Sequence, residues 1–210
     1  MKVLIVSGGE PDKEIVRNCR QEKYEAIIAV DRGIEILDEL NIVPTHIIGD
    51  FDSVNKNILE KYIDLQIHKL NSNKDYTDTN MAIKLAIDLK ADEVVIVCAT
   101  GKRKDHEISN IQDMVLCLNE NIVCKIVDEN NEIFLVNKNT NIKKDEKYKY
   151  VSLIPLTNEV TGIALKGFKY PLENHTLKIG ENIGISNEQI EDEAKIVLKT
   201  GILIVIKSED

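Results

Sequence analysis

Two carboxylates separated by one residue, Asp50 and Asp52 in "GDFDS", stand where a short apolar run of the chain stops. One Asp suffices to cap an ordinary turn, and a second so close adds only repulsion. Residues two apart in an extended segment point to the same side, so a divalent cation between them would relieve that repulsion. Mg2+ suits such a pair, because it takes oxygen ligands, keeps several waters and is shared between one or two carboxylates and substrate phosphates. The structural alternative has Asp50 capping a turn and Asp52 or Ser53 capping the helix that follows. "KDYTD" carries the same double meaning. Asp75 or Thr77 is an N-cap there, and Asp78 falls in the first turn, where the helix dipole favours it and a metal is still within reach. "TGKRKDH" offers Thr100 and the Gly101 backbone to a phosphate, with Arg103 as counter-charge, while Lys102 and Lys104 read as a solvated loop. His106 in the first turn of a helix is a base or, more commonly, an orienting or packing group. His46, His68 and His175 have no partners at metal-ligand spacing, which argues against zinc.

These segments need elements that bring them together. Over residues 1–128 short apolar runs at 3–6, 26–30, 47–48, 65–67, 94–97 and 123–127 read as strands. Helical spacing fills the gaps between them. Met81, Ala82, Leu85, Ala86 and Leu89 mark one helix face, and Ile108, Ile111, Val115 and Leu118 mark another. Val- and Ile-rich strands without clean alternation suit a sheet buried on both faces. The strand–helix order gives a parallel, doubly wound sheet with right-handed crossovers. "SGGE", "DRG" with Asp31, "GDFDS", "NSNKDYTD" and "ATGKRKDH" then all leave the sheet at its carboxyl edge, where open sheets of this kind bind ligands. From about residue 129 to 210 helical periodicity gives way to short alternating pieces, which predict an all-β sandwich or barrel. "KTG" reads as a hairpin turn between two apolar strands, with Gly201 supplying a positive φ.

The bulk composition narrows the function classes. A formal net charge of −9 over 210 residues argues against nucleic acid as a general partner. The longest apolar runs are far too short to cross a bilayer, and "MKVLIVSGGEP" reads as a first strand, not a signal peptide. Four cysteines without a C-x-x-C pair read as buried free thiols of a cytoplasmic protein. The strands at 196–198 and 202–206 are apolar on both faces. Their cover comes either from the first domain or from a second subunit.

In order along the chain, "GDFDS", "KDYTDTNMAI", "TGKRKDHEISN", "SLIPL", "KGFKYPL" and "GISN" together resemble thiamine pyrophosphokinase. The resemblance implies an α/β catalytic domain, 1–128, and a β-sandwich domain, 129–210, for thiamine binding and dimerisation. It implies Mg2+-dependent transfer of the pyrophosphoryl group of ATP to the hydroxyl of thiamine, giving thiamine diphosphate and AMP. It implies a homodimer with thiamine near the subunit interface. Carried over by position, Asp50, Asp52 and Asp78 are the metal-binding carboxylates, and Asp31, Asp75, Thr77, Thr100, Gly101 and Arg103 line the nucleotide. Asp105 matches the acidic residue of the family's Gly-Gly-Arg-x-Asp-His motif, and Ser186 and Asn187 match a loop near thiamine. Arg32 and Lys102 replace family glycines, and Asn80 replaces an acidic residue. Two alternatives stand beside this reading: pyrophosphoryl transfer to another primary alcohol such as a hydroxymethylpterin, or a non-catalytic nucleotide or thiamine binder.

Overall fold

A computed structural model describes residues 1–52, 54–62, 64–69 and 76–210. The chain divides into two compact units, Met1–Glu129 and Asn130–Asp210. Along the first unit run β1 (Lys2–Val6), α1 (Lys13–Arg20), β2 (Ala26–Val30), α2 (Gly33–Glu39), β3 (His46–Gly49) and α3 (Lys56–Lys61). Next come β4 (Gln66–Lys69), α4 (Asp78–Asp88), β5 (Glu93–Val97), α5 (Lys104–Asp113), α6 (Val115–Asn119) and β6 (Val123–Val127). The six strands lie in the order β4-β3-β2-β1-β5-β6, every neighbouring pair parallel.

Cover on both faces explains the unbroken apolar runs. Leu4 and Val6 of β1 pack with Ile15, Val16 and Cys19 of α1 and Ile34 and Leu37 of α2. Val3 and Ile5 alternate to the other face, where α4 packs across β1, β2 and β3. The buried face of α4 is Thr79, Asn80, Ala82, Ile83 and Ala86, with Met81 and Leu85 only half-buried. The apolar face expected of the next helix is also displaced. That helix breaks at Met114 into α5 and α6, its buried residues are Asn110, Met114 and Cys117, and Ile108 is 57% exposed. A polar side chain, Asn110, belongs to the buried stripe and hides it from a count of apolar residues. All four cysteines are free and buried.

The second unit is all-β: β7 (Asn131–Val136), β8 (Thr140–Lys143), β9 (Tyr150–Pro155), β10 (Glu159–Lys166), β11 (His175–Lys178), β12 (Glu193–Val197) and β13 (Leu203–Ser208). β13 lies antiparallel between β7 and β9. A separate sheet has the order β11-β10-β12-β8. One core joins the two layers, with Val151, Leu153, Leu203 and Val205 meeting Val160, Ile163, Leu177 and Ile196. The hairpin expected at "KTG" is not formed. Gly201 does have a positive φ, +93°, but β12 pairs with β10 and β8 while β13 pairs with β7 and β9. The turn therefore carries the chain from one layer of the sandwich to the other. Ala194, Ile196 and Leu198 enter the core from one side and Leu203 and Val205 from the other, and that burial outweighs local pairing.

Gly33 opens α2 directly against the end of β1. A Cβ there would lie 2.0 Å from the carbonyl oxygen of Val6 and 3.2 Å from that of Ser7. Both obstacles are backbone, so Gly33→Ala forces the helix away from the sheet. We expect a loss of about 3 kcal/mol, read as a lower urea midpoint with unchanged slope. A wild-type midpoint would show that the packing is looser than described.

Candidate active site

β1 is flanked by β2 and β5, and the connections after β1 and β5 leave in opposite directions. In open parallel sheets that divergence is where ligands bind. A cavity of about 530 Å3 opens there, lined by residues 7–11 after β1, 30–32 after β2, 77–79 at the start of α4, 99–103 after β5, and His106 and Asn110 of α5.

Its floor is backbone held by backbone. The N–H groups of Ser7, Gly9 and Glu10 donate to the carbonyls of Val97, Cys98 and Thr100 at 2.9, 2.8 and 3.1 Å. A Cβ on Gly9 would stand 2.4 Å from the Cys98 oxygen, so only glycine fits. Two buried polar contacts fix the walls. The Ser7 and Thr79 hydroxyls meet at 3.2 Å, and Asn110 Nδ2 donates to the Ala99 carbonyl at 2.7 Å. Asp31 Oδ1 occupies the space beside Gly49 where a Cβ would stand, 2.1 Å away. Asp31, Phe51 and Cys98, at the exits of β2, β3 and β5, have φ of +46°, +63° and +55°. Backbone strain of this kind costs about 1–3 kcal/mol per residue and clusters at functional edges.

Helix N-termini oppose the carboxylates here. The N-termini of α4 and α5 both reach the cavity, and each presents N–H groups that the helix itself does not use. Thr77 caps α4, its oxygen accepting from the Asn80 N–H at 3.1 Å while its hydroxyl donates to Asp113 Oδ2 at 3.5 Å. Asn80 Nδ2 donates to Asp113 Oδ1 at 2.7 Å. Burial pushes the Asp113 carboxyl above its ordinary value, and the bonds from Asn80 and Thr77 oppose that shift. Arg103 grips Asp105 with Nε at 3.3 Å and Nη2 at 2.6 Å, and these bonds hold the Asp105 carboxyl down to about 2. Lys102 lies 3.8 Å from Glu10. Glu107 accepts from Lys104 at 2.8 Å and from the Gly101 N–H at 3.3 Å.

Of the residues singled out by sequence, Asp31, Thr77, Asp78, Thr100, Gly101 and Arg103 line this one cavity. Asp105 lies beside it, tied to Arg103. Asp50 and Asp52 follow β3 and are not part of the lining. Asp50 Oδ1 accepts from the Asp52 N–H at 3.1 Å, the turn-capping role. Asp52 caps no helix, because Asn55 caps α3 through the Asn57 N–H at 3.0 Å. Asp75 and Ser53 lie outside the described residues. In the second unit the "GISN" segment runs beside β9. Asn187 exchanges backbone hydrogen bonds with Val151, and its side-chain amide holds the Tyr170 N–H and carbonyl at 3.0 and 2.8 Å. Ser186, at φ +56°, donates its N–H to Ser152 Oγ at 3.0 Å. Ser7, Gly9, Thr79 and Asn110 shape the cavity without a chemical signature of their own in the sequence. The only signal for Asn110 was a polar residue at helical spacing among apolar ones.

Among the described residues no three His, Cys, Asp or Glu side chains are grouped closely enough to cage a metal ion. The cavity nevertheless carries three carboxylates, Glu10, Asp31 and Asp78, beside the single imidazole of His106. That set fits a hard cation that arrives with phosphate oxygens and its own waters.

The chain is thus an α/β protein with a cavity at the switch point of a doubly wound sheet and a β-sandwich in its second unit. Residues 19–126 match "Thiamin pyrophosphokinase, catalytic domain" and residues 139–203 match "Thiamin pyrophosphokinase, vitamin B1 binding domain". The chain is 32% identical to a thiamine pyrophosphokinase of Bacillus subtilis over the full length of both proteins. Solved structures agree. Thiamine pyrophosphokinase from Bacillus subtilis superposes with a TM-score of 0.91 at 32% identity over 100% of both chains. The Geobacillus thermodenitrificans enzyme gives 0.87 at 31% identity over 100% of this chain and 98% of its own. The chain belongs to the thiamin pyrophosphokinase family, and it is a transferase of the thiamine pyrophosphorylation class.

The Asn80–Asp113 bond yields a reciprocal test. Asn80→Asp would set two carboxylates against each other at hydrogen-bond distance, where a buried charge without its donor costs about 2 kcal/mol or more. The loss should deepen as pH rises through the carboxylate range, since only the ionised pair repels. Adding Asp113→Asn exchanges the partners and should restore most of the stability. Urea titration of the two variants at pH 4 and pH 7 checks this, and a double variant no better than Asn80→Asp would contradict the pairing.

Proposed function

We propose that this chain transfers the pyrophosphoryl group of ATP to the hydroxyl of thiamine, releasing AMP. One observation carries the proposal. A single cavity at the switch point gathers two helix N-termini, glycine backbone, Arg103 and the carboxylates Asp31 and Asp78, a set suited to a metal-bound triphosphate. The thiamine hydroxyl oxygen attacks the β-phosphorus, the bond from that phosphorus to the bridging oxygen breaks, and AMP leaves with the oxygen. The hydroxyl proton is lost to solvent or a nearby base. Little covalent chemistry falls to the protein in such a transfer, so positioning and charge stabilisation dominate.

Asp50, Asp52 and Asp78 would hold Mg2+, with Asp31 beside them, and the ion when bound would neutralise the triphosphate. The N–H groups opening α4 and α5 face the phosphates, and Arg103 balances charge that develops on them. Asp105 orients Arg103 through its paired bonds. The second unit, with the vitamin B1 binding match, would take thiamine, with Ser186 and Asn187 as its contacts. We take the active unit to be a cytoplasmic homodimer. Among the described residues no helix is long and apolar enough to cross a membrane.

The product settles the reaction type. Chromatography of a mixture with ATP, Mg2+ and thiamine should give AMP and thiamine diphosphate in equal amounts. ADP with thiamine monophosphate would replace pyrophosphoryl transfer by simple phosphorylation, and no turnover with thiamine would point to another acceptor.

A further inference from the structure

Arg32 stands on the boundary between two cavities. It lines the main one and also a neighbouring cavity of about 150 Å3, bordered by Lys13, Glu35 and Glu39. Its backbone is held close to the loop after β1, since a Cβ on Gly8 would touch the Arg32 nitrogen at 3.4 Å. It precedes α2 immediately, so the end of β2 fixes where the side chain starts.

The cations around the site differ in how far they are already engaged. Lys13 is paired with Glu39, and Lys102 faces Glu10. Arg103 spends Nε and Nη2 on Asp105. Arg32 makes one contact to a carboxylate, from Nε to Glu35 Oε2 at 3.3 Å, and its side chain is 58% exposed. Among the described residues its two Nη groups have no hydrogen-bond partner. Glu35 is itself anchored, because its Oε1 accepts the Asn55 N–H at 3.1 Å and its side chain is only 22% exposed. A carboxylate fixed at one oxygen and gripping Nε with the other orients the guanidinium and leaves its outer edge available. That edge presents parallel N–H donors, the geometry that binds two phosphate oxygens at once.

We propose that Arg32 is a phosphate-binding residue of the nucleotide site, with Glu35 as its positioning residue. The ligand class is a polyphosphate chain, and the inference rests on the nucleotide reading above. A −9 chain whose cavity already carries Asp31 and Asp78 repels a triphosphate. A cation with unused donors at the mouth offsets that repulsion before chemistry begins. Arg32 thus adds binding that the ground state and transition state share.

Calorimetric titration without thiamine separates this inference from the nucleotide reading. The probes are ATP with Mg2+, inorganic tripolyphosphate with Mg2+, and adenosine. The proteins are the wild type, Arg32→Ala, Arg32→Lys and Glu35→Gln, each with its melting temperature measured. Arg32→Ala should weaken ATP and tripolyphosphate about tenfold or more and leave adenosine unchanged. Arg32→Lys should recover only part of the loss, because an ammonium cannot bind two oxygens in a fork. Glu35→Gln should lose severalfold in affinity through a misplaced guanidinium. Wild-type affinity in a folded Arg32→Ala protein overturns the role of Arg32 while leaving the nucleotide reading intact. If the wild type binds neither ATP nor tripolyphosphate, the nucleotide reading fails and this inference fails with it.

Discussion

Where β1 leaves the sheet its backbone is wedged between two others. Ser7, Gly9 and Glu10 continue the ladder beyond the strand by donating to Val97, Cys98 and Thr100. On the other side Gly33 brings α2 onto the Val6 carbonyl. An unpaired buried backbone group costs about as much as a lost hydrogen bond, so these N–H groups hold the loop in one place. The cavity exists because this loop cannot rise into it. The walls are set relative to that floor and the β5 exit: α4 through the Ser7–Thr79 hydroxyls, α5 through Asn110 on Ala99, and the β2 exit through Asp31 and Arg32 against Gly8.

The wall contacts share a character that separates this edge from the rest of the unit. The core is aliphatic and would tolerate exchanges of similar volume. At the carboxyl edge the buried side chains are hydroxyls and amides with specific partners, and several backbone angles are strained. Local rules yield at functional sites in this way, compensated by packing elsewhere. The charges follow the same economy of place. Arg103 with Asp105 and Arg32 with Glu35 are each pairs whose acid restrains a base at the mouth of the cavity. The restraint lowers the entropy lost when an anion is gripped.

The sheet was legible because burial on both faces writes Val and Ile in unbroken runs. The six strands of the first unit fall where those runs stand, and their exits bring Asp31, Asp78, Thr100 and Arg103 to one cavity. Pattern reading failed where a tertiary contact overrode a local preference. "TNIK" in β8 is too short and polar to register as a strand, yet it pairs with β12. "KTG" has hairpin chemistry, but the sandwich core separates the strands on either side of it. Asn110, Ser7 and Thr79 are polar residues whose importance lies in partners far away in sequence, and spacing alone carries no trace of such partners. Asp50 and Asp52 were conspicuous as a pair, while the cavity itself is lined by Asp31 and Asp78.

On the proposed function, the nucleotide enters at the β1–β5 switch point and rests on this backbone floor. Amide NMR of the isotopically labelled full chain, titrated with a non-hydrolysable ATP analogue and Mg2+, tests it directly. The largest shifts are expected at the amides of Ser7, Gly9, Glu10, Gly33, Thr79, Gly101 and Lys102. Saturable binding with those amides unmoved, and the shifts gathered instead on residues 130–210 or on the amino edge of the sheet, would contradict it.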